Sequence, residues 1–331
     1  MEELRLAVRS GKPNKAPGGD GICREFFKLA WVTTKHDALG VLNQMDSNGT
    51  IMKQQKHGIL VCLPKTPTPT RPEDYRPLTL LNADFKLMER IIANRLRPWL
   101  VDLFQPSQHC SLQGNAVLEA IAAVREAVVY AETTNNALCF LSLDFKAAFD
   151  NISHSYLFKT LKAYGFSEGF QQRFKSMYEG STSSVQINGH ISSPVPIRCS
   201  LRQGCPLSMQ IFALCLNPLP CILDERLTGI QRGRRRKKTT VVAYADDITI
   251  FVTSPVDIQL IREAMRCYQA ASGARLNIEK SKAMPVGSWD TSIDKWYIYN
   301  TAIKILGVRT HNTVSQSAKN SWSAVTGRIR A

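Results

Sequence analysis

The chain has 331 residues, of which 44% are hydrophobic and 21% charged, so it can bury one large core or two smaller ones. This composition excludes a disordered tail and a disulfide-stapled miniprotein. Lys and Arg number 42 against 27 Asp and Glu, and the resulting net charge of +15 predicts a polyanionic partner such as nucleic acid.

The first half of the chain is predicted to contain loops, helices and one strand. In chain order these are a Gly/Pro-rich loop at Lys12–Gly21, a helical stretch at Ile22–Asn43, a strand at Ile59–Lys65, a Pro/Thr-rich loop at Thr66–Pro77, and helices at Asp84–Trp99 and Ala116–Thr133.

The middle of the chain carries strand signals. The continuous apolar run Leu138–Leu143 predicts a strand that is buried on both faces. Asn188-Gly189 favours a type I′ turn between strands at Ser184–Ile187 and Ser193–Ile197.

Two helices are predicted in the second half. Cys205–Leu223 is apolar nearly all round, which indicates one buried helix with Pro206 in its first turn. Ser254-Pro255 opens a second helix, and Gly273 closes it. Helices and strands are therefore mixed throughout, as in an α+β fold.

Two β-rich runs, Thr239–Ala245 and Ile248–Val252, predict a hairpin with Asp246 and Asp247 at its tip. Adjacent carboxylates repel each other unless a cation neutralises them. A solvated turn is one interpretation, because Asp favours turns. The apolar flanks favour a cation site, and Asp144 repeats the pattern after its own apolar strand. Three acids at strand ends can hold two divalent cations, which at about 3.5–4 Å apart assist in-line attack on phosphorus.

The nine cysteines lie in apolar runs without a C-x-x-C pair, which predicts a reduced, intracellular protein. No stretch approaches the ~18 apolar residues of a membrane span, so we expect no membrane partner. The chain opens with a short polar segment and ends at Ala331 without a stop-like signal, so we expect a piece of a longer protein.

Three motifs stand in order along the middle of the chain: LSLDFKAAFDNI at Leu141–Ile152, LRQGCPLS at Leu201–Ser208 and AYADDITIF at Ala243–Phe251. Together they resemble the palm of a reverse transcriptase of the LINE-like, non-LTR retrotransposon type. Four further segments resemble the same family in the same order, namely KAPGGDGICREFFK at Lys15–Lys28, the fingers-like Leu63–Leu96, GARLNIEKSK at Gly273–Lys282 and the primer-grip-like KILGV at Lys304–Val308.

The resemblance implies an α+β, right-hand polymerase fold whose palm is a small antiparallel sheet backed by helices. Residues 1–137 would form an N-terminal extension and the fingers, and residues 138–287 the palm, with 155–200 partly connecting fingers and palm. Residues 288–331 would form a partial thumb, which we expect to be truncated.

The resemblance also assigns roles to the acids. Asp144 and Asp246 would bind both cations, with Asp247 as the second acid of the pair. The cofactor would be two Mg²⁺ ions, with Mn²⁺ as an alternative, because Mg²⁺ binds through a few carboxylates plus substrate phosphates.

Five positions match nucleotide-binding residues of the family. Phe149 would lie under the incoming sugar and exclude a 2′-hydroxyl, although a core aromatic is the alternative interpretation. Gln203 would position the incoming nucleotide, with Gly204 permitting close backbone approach. Arg76 and Lys65 would supply positive charge to the triphosphate.

Other charged positions are less distinctive. Lys280 matches a lysine that protonates the pyrophosphate leaving group, and a solvated surface lysine is the alternative. Asp150 matches no metal ligand, and we interpret it as an acid near a helix N-terminus or as the cap of that helix. The basic run Arg232–Lys238 is predicted to hold nucleic-acid phosphates, to act as a nuclear signal, or to be a solvated loop.

The chain departs from the family at two motifs. Met209 follows LRQGCPLS where the family has Pro, and Asn115 follows Gly114 where a Gly-Arg element is usual. No segment resembles an endonuclease domain or a Cys/His knuckle.

The predicted function is RNA-templated DNA synthesis on a primer 3′-hydroxyl, with RNA template, DNA primer and deoxynucleoside triphosphates as partners and a nuclear location. One alternative is a truncated, inactive remnant that only binds nucleic acid. A two-metal nuclease is a second alternative, but it would need a general-base His or Glu near the acids. No oligomeric state follows from the sequence.

Overall fold

The computed structural model describes residues 1–48, 51–105, 107–108, 116–232, 237–290, 298–305 and 308–316. Its helices are α1 (Glu2–Ser10), α2 (Arg24–Leu29), α3 (Trp31–Asn48), α4 (Lys53–Lys56), α5 (Ala83–Leu96), α6 (Leu100–Leu103), α7 (Ala116–Thr134), α8 (His154–Ala163), α9 (Glu168–Tyr178), α10 (Ser208–Leu216), α11 (Pro218–Arg226) and α12 (Pro255–Ser272), with 3₁₀ turns at Pro72–Asp74 and Arg97–Trp99.

The strands are short and alternate with the helices. They are β1 (His57–Pro64), β2 (Tyr75–Leu80), β3 (Leu138–Leu143), β4 (Phe145–Lys146), β5 (Thr182–Ile187), β6 (His190–Ile191), β7 (Val195–Pro196), β8 (Ile230–Arg232), β9 (Lys237–Thr239), β10 (Val241–Tyr244), β11 (Asp247–Val252), β12 (Arg275–Leu276), β13 (Lys282–Val286), β14 (Ile298–Tyr299), β15 (Ala302–Ile305) and β16 (Val308–His311).

The chain forms two compact units, each made of two separate stretches. Unit 1 comprises Met1–Trp99 and Ile152–Phe212, and unit 2 comprises Leu100–Asn151 and Ala213–Ala331. The predicted boundaries at 137/138 and 287/288 follow functional regions rather than compactness, so the division into fingers, palm and thumb stays a prediction.

Unit 1 is built on a sheet with the strand order β2-β1-β5-β6, in which β7 also pairs with β5. β1 pairs antiparallel with β2 and parallel with β5. The Asn188-Gly189 turn joins β5 to β6 with φ values of 49° and 83°, as a type I′ turn requires.

Unit 2 is built on a sheet with the order β10-β11-β3-β13-β14, in which β10, β11, β3 and β13 are antiparallel neighbours. On one face, Phe140 and Phe251 pack edge to face at 5.0 Å within a cluster that includes Val124 and Val128 of α7. Leu141 of β3 is 2% exposed although it points to the opposite face, so β3 is buried on both faces as its apolar run predicts.

The helix α12 begins and ends where the sequence predicts. The Ser254 hydroxyl accepts a hydrogen bond from the Asp257 amide at 3.3 Å, and the Asp257 carboxylate accepts one from the Ser254 amide at 3.1 Å. This reciprocal pair satisfies two amides that a helix start leaves open. Gly273 ends the helix at φ 83°, a conformation that favours glycine.

The prediction of a single helix over Cys205–Leu223 is wrong. The segment contains α10 and α11, and Pro218 occupies the first turn of α11. Proline has no amide hydrogen and its ring clashes with the preceding turn, which favours a break in the helix before Pro218. The first helix begins at Ser208 rather than around Pro206.

Two smaller predictions are also corrected. The strand that follows the Asn188-Gly189 turn is β6 rather than Ser193–Ile197, because β7 turns back to pair with the start of β5. Ser153 rather than Asp150 caps α8, since the Ser153 hydroxyl accepts a hydrogen bond from the Tyr156 amide at 3.2 Å.

Some predicted features lie wholly or partly outside the described residues. These are Asn115, most of the basic run at 232–238, the middle of the primer-grip-like segment at 306–307, and much of the predicted thumb. Within the described part of the chain, no helix is long and apolar enough to span a bilayer.

Candidate active site

The three predicted acids lie at one end of the unit 2 sheet. Leu143 pairs with Ile248 between the antiparallel strands β3 and β11, and the same register extended by one residue sets Asp144 opposite Asp247. Asp247 pairs with Tyr244 across the β10–β11 hairpin, which leaves Ala245 and Asp246 as the turn. Asp246 is exposed, whereas Asp144 and Asp247 are half-buried.

The backbone is strained on both sides of this cluster. Ala245, next to Asp246, has φ 52°, and Ala147, three residues after Asp144, has φ 43°. Left-handed backbone costs about 1–2 kcal/mol for an L-residue other than glycine. Such strain is concentrated at functional sites, where the surrounding structure holds a segment in one conformation.

Two polar residues hold Asp144 in place, and sequence reasoning assigned neither of them a role. The Asn277 side-chain amide donates to Oδ2 of Asp144 at 3.0 Å, and the Asn277 backbone amide donates to the Asp144 carbonyl at 2.7 Å. The Asp144 amide donates to the Ser281 hydroxyl at 3.1 Å. Both residues lie in GARLNIEKSK, so the motif itself was the available signal.

Phe149 and Lys280 belong to the same unit as the acids. Phe149 is half-buried in the turn that follows β4, where the Asp150 amide donates to the Ala147 carbonyl at 2.9 Å. Lys280 is exposed, and its amide donates to the Asn277 carbonyl at 3.2 Å. Lys280 is therefore joined through its backbone to the residue that contacts Asp144.

The loop with Gln203 and Gly204 lies in unit 1, against β2. The Thr79 amide donates to the Gln203 carbonyl at 2.9 Å. Gly204 has φ 100°, and a Cβ at this position would lie 2.8 Å from Leu78 Cδ1 and 3.2 Å from the Thr79 carbonyl oxygen. Glycine is therefore required both by its backbone conformation and by its close contact with β2.

Arg76 and Lys65 lie on the β1–β2 hairpin of unit 1. Arg76 pairs with Leu63 and is exposed. Lys65 follows β1 directly, its amide donates to the Asp74 carbonyl at 2.7 Å, and its Nζ donates to the Glu73 carbonyl at 2.8 Å. β2 thus carries Arg76 and also contacts the loop of Gln203 and Gly204.

A buried charged cluster flanks this loop. Arg202 is 4% exposed, donates to the Met177 carbonyl at 2.8 Å, and lies over the Phe85 ring at 5.1 Å. Glu89 is 1% exposed, and burial raises its pKa to about 7, although the positive charge of Arg202 acts in the opposite direction. The Cys205 thiol donates to Oε1 of Glu89, and burial together with this carboxylate raises the pKa of that thiol well above its ordinary value.

The carboxylates of the three acids are suitable ligands for a magnesium ion. Within the described residues, no three Asp, Glu, His or Cys side chains are close enough to enclose a metal ion by themselves. Mg²⁺ requires no such enclosure, since it keeps several waters and binds through one or two carboxylates plus substrate phosphates. Asp144, Asp246 and Asp247 offer hard oxygen ligands at the end of one sheet, with the carboxylate of Asp246 accessible to solvent.

The family of this chain follows from the similarity of its sequence to known protein families. Residues 63–310 match the family model described as Reverse transcriptase (RNA-dependent DNA polymerase). The chain belongs to the reverse transcriptase family. The match includes all three palm-like motifs and every residue that the sequence analysis assigned to the site.

The curated relatives of this reverse transcriptase chain come from mobile elements. The chain is 34% identical over 288 residues to the Transposon TX1 uncharacterized 149 kDa protein of Xenopus laevis, covering 87% of this chain and 22% of that protein. It is 27% identical over 268 residues to the Retrovirus-related Pol polyprotein from type-2 retrotransposable element R2DM of Drosophila melanogaster, covering 81% and 24%. The predicted resemblance to non-LTR retrotransposon proteins is confirmed, and the chain spans about a quarter of these relatives.

Solved structures confirm the predicted fold. Apo telomerase from Candida tropicalis, truncated from its C-terminal domain, superposes with a TM-score of 0.55 at 12% identity, covering 83% of this chain and 59% of that one. Telomerase from Candida albicans in complex with a fragment of telomeric RNA superposes with a TM-score of 0.53 at 14% identity, covering 80% and 46%. The reverse transcriptase chain therefore has the right-hand polymerase fold.

Proposed function

We propose that this chain catalyses RNA-templated DNA synthesis as the polymerase region of a LINE-like retrotransposon protein. The substrates would be an RNA template, a DNA primer and deoxynucleoside triphosphates. The observation that carries the proposal is the register of the unit 2 sheet, which sets Asp144 opposite Asp247 and Asp246 in the adjoining turn. Membership in the reverse transcriptase family supports the same chemistry.

Asp144 and Asp246 would hold two Mg²⁺ ions, for which Mn²⁺ can substitute, with Asp247 as the second acid of the hairpin. When bound, the cations lower the pKa of the primer hydroxyl and offset charge on the attacked phosphate. The contribution of the chain is to fix its carboxylates before the substrates arrive. Rigid strands on either side of the acids serve this purpose, because positioning supplies much of the catalysis in phosphoryl transfer.

The remaining residues would bind the nucleotide. Gln203 and Gly204 would present the loop backbone to the incoming nucleotide, and Arg76 with Lys65 would supply positive charge to its triphosphate. Lys280 would donate a proton to the departing pyrophosphate. Its side chain is exposed to solvent and therefore accessible to the departing group.

Primer extension tests the proposal. A DNA primer annealed to an RNA template is incubated with Mg²⁺, deoxynucleotides and the chain, its Asp246→Asn variant, or its Asp102→Asn variant. Asp102 is an exposed aspartate of α6 in the same unit and serves as the matched control. We expect extension by the unaltered chain and the control, and only background extension by Asp246→Asn.

Two outcomes would contradict the proposal. Normal extension by Asp246→Asn would remove this acid from the site. Absence of extension by the unaltered chain, with salt-dependent binding to the primer–template retained, would indicate a protein that only binds nucleic acid.

Phe149 gives a separate test of sugar selection. Phe149→Val shortens the side chain and is expected to admit ribonucleotides, measured as the ratio of deoxynucleotide to ribonucleotide incorporation. An unchanged ratio would leave Phe149 as a packing residue of the turn after β4.

A further inference from the structure

The segment GARLNIEKSK is joined to Asp144 by three hydrogen bonds, and a fourth hydrogen bond within the segment links the two residues that make them. Asn277 makes two of them, from its side-chain amide to Oδ2 at 3.0 Å and from its backbone amide to the carbonyl at 2.7 Å. Ser281 accepts from the Asp144 amide at 3.1 Å and donates its hydroxyl hydrogen to the Asn277 carbonyl at 2.8 Å. Asp144 is therefore held through its amide, its carbonyl and its carboxylate.

The chemical type of the group that donates to Oδ2 of Asp144 matters for cation binding. A lysine or arginine on Oδ2 would neutralise the carboxylate and compete with a cation for it. The Asn277 amide is neutral, so it fixes the plane of the carboxylate without removing its charge. An ionised carboxylate offers about four lone-pair sites, so one hydrogen bond from an amide leaves most of these sites available to other ligands.

The two residues that hydrogen-bond to Asp144 are buried. Asn277 is 8% exposed and Ser281 is fully buried. The strands β12 and β4 pair Leu276 with Phe145, directly beside the Asn277–Asp144 contact. Buried hydrogen bonds of this kind are costly to break, because each lost partner leaves a desolvated polar group.

The same turn also places Lys280. Its amide donates to the Asn277 carbonyl at 3.2 Å, and the Ser281 amide donates to the same carbonyl at 2.9 Å. The backbone of Lys280 is thus tied to the residue that orients Asp144. A displacement of Asn277 would move both the carboxylate and the lysine.

We propose that Asn277 and Ser281 are positioning residues that orient the Asp144 carboxylate for cation binding and set Lys280 at a fixed place relative to it. This inference rests on the proposed function, since it assumes that Asp144 is a cation ligand. Residues that hydrogen-bond to a ligating carboxylate orient it, and their loss typically costs about 10- to 100-fold in metal affinity or activity.

Cation binding without chemistry is the first measurement. Mn²⁺ is titrated into the chain bound to a dideoxy-terminated DNA primer on an RNA template with the next deoxynucleotide, and free Mn²⁺ is read by electron paramagnetic resonance. Asn277→Ala and Ser281→Ala are expected to weaken Mn²⁺ binding by about 10-fold or more.

Ser272→Ala is the matched control. Ser272 is also a fully buried serine, at the end of α12 just before this segment, but its hydroxyl donates to the Tyr268 carbonyl at 2.7 Å rather than to Asp144. This variant is expected to bind Mn²⁺ as the unaltered chain does. In primer extension, the two positioning variants should lose kcat by a similar factor while KM for the deoxynucleotide changes little.

The outcomes separate this inference from the proposed function. If Asp144→Asn binds Mn²⁺ normally, the proposed role of Asp144 fails. If Asp144→Asn loses Mn²⁺ but Asn277→Ala and Ser281→Ala retain it, only the positioning role fails. Thermal unfolding of each variant identifies a misfolded protein, and if Asn277→Ala is misfolded, Ser281→Ala against Ser272→Ala decides the question.

Discussion

Replacing Gly204 by alanine tests how tightly the loop of Gln203 and Gly204 packs against β2. The backbone of Gly204 has φ 100°, and the added Cβ would lie 2.8 Å from Leu78 Cδ1 and 3.2 Å from the Thr79 carbonyl oxygen. The side chain of Leu78 can rotate away, but the carbonyl belongs to a strand that is hydrogen-bonded to this loop and to β1. The loop or the strand must therefore shift.

Two costs combine in this variant. A positive φ costs an L-residue about 1–2 kcal/mol, and overpacking in a close-packed region costs about 1–3 kcal/mol. Together they predict a loss of about 2–5 kcal/mol in the free energy of unfolding. A domain of this size loses about 2–4 °C in Tm for each kcal/mol, so the melting temperature should fall by about 4–20 °C.

Gly165→Ala is the matched control for the backbone term. Gly165 has φ 76° in the same unit, and a Cβ there would meet nothing within 4 Å. This variant should lose only about 1–2 kcal/mol. Thermal and urea unfolding of both variants measure the difference, and primer extension reports whether the shifted loop still supports synthesis. If Gly204→Ala is no less stable than Gly165→Ala, the close packing of the loop on β2 is refuted.

Three further predictions concern stability. Burial raises the pKa of Glu89 to about 7, above that of an unfolded glutamate, so the folded state holds the proton more tightly. The free energy of unfolding should therefore fall by up to about 3 kcal/mol as pH rises from 4.5 to 8. Glu89→Gln should flatten this fall, and the same pH dependence of urea unfolding in the variant and the unaltered chain would contradict the prediction. Ala147 is exposed at φ 43°, so Ala147→Gly should stabilise the chain by about 0.5–1 kcal/mol, and a lower Tm would contradict the left-handed assignment. Ser254→Ala removes the side-chain acceptor of the Asp257 amide at the start of α12 and should cost about 1 kcal/mol in urea unfolding, whereas an unchanged midpoint would show that the Asp257 carboxylate caps the helix alone.

The sequence predicts well those features that depend on local pattern. Leu138–Leu143 is predicted as a buried strand because both of its faces are apolar, and the structure covers both. The hairpin follows from two β-rich runs and a short interruption, but its turn is Ala245-Asp246 rather than the predicted Asp246-Asp247, because Asp247 already pairs with Tyr244. The break between α10 and α11 was missed because apolar residues on both sides of Pro218 conceal the boundary, although the proline itself marked it.

Features that depend on distant contacts could not be predicted in the same way. Asn277 contacts Asp144 across 133 positions of sequence, and although it lies in the motif GARLNIEKSK, nothing in that motif indicates which distant residue it contacts. Glu89 and Arg202 each look like surface charges in a helix and a loop. Their burial depends on how the two stretches of unit 1 come together, which only the folded chain shows.

Each unit is made of two stretches that lie far apart in the sequence, and this affects how the protein folds during synthesis. β3 is the central strand of the unit 2 sheet, yet its neighbours β11 and β13 begin at Asp247 and Lys282. The parallel partner of β1 is β5, at Thr182–Ile187. A ribosome adds roughly 5–20 residues per second. The apolar strand β3 therefore stays without its neighbouring strands for several seconds after it has been made. We therefore expect the nascent chain to depend on chaperones until Val286 has been made, and a product ending before that residue to be prone to aggregation.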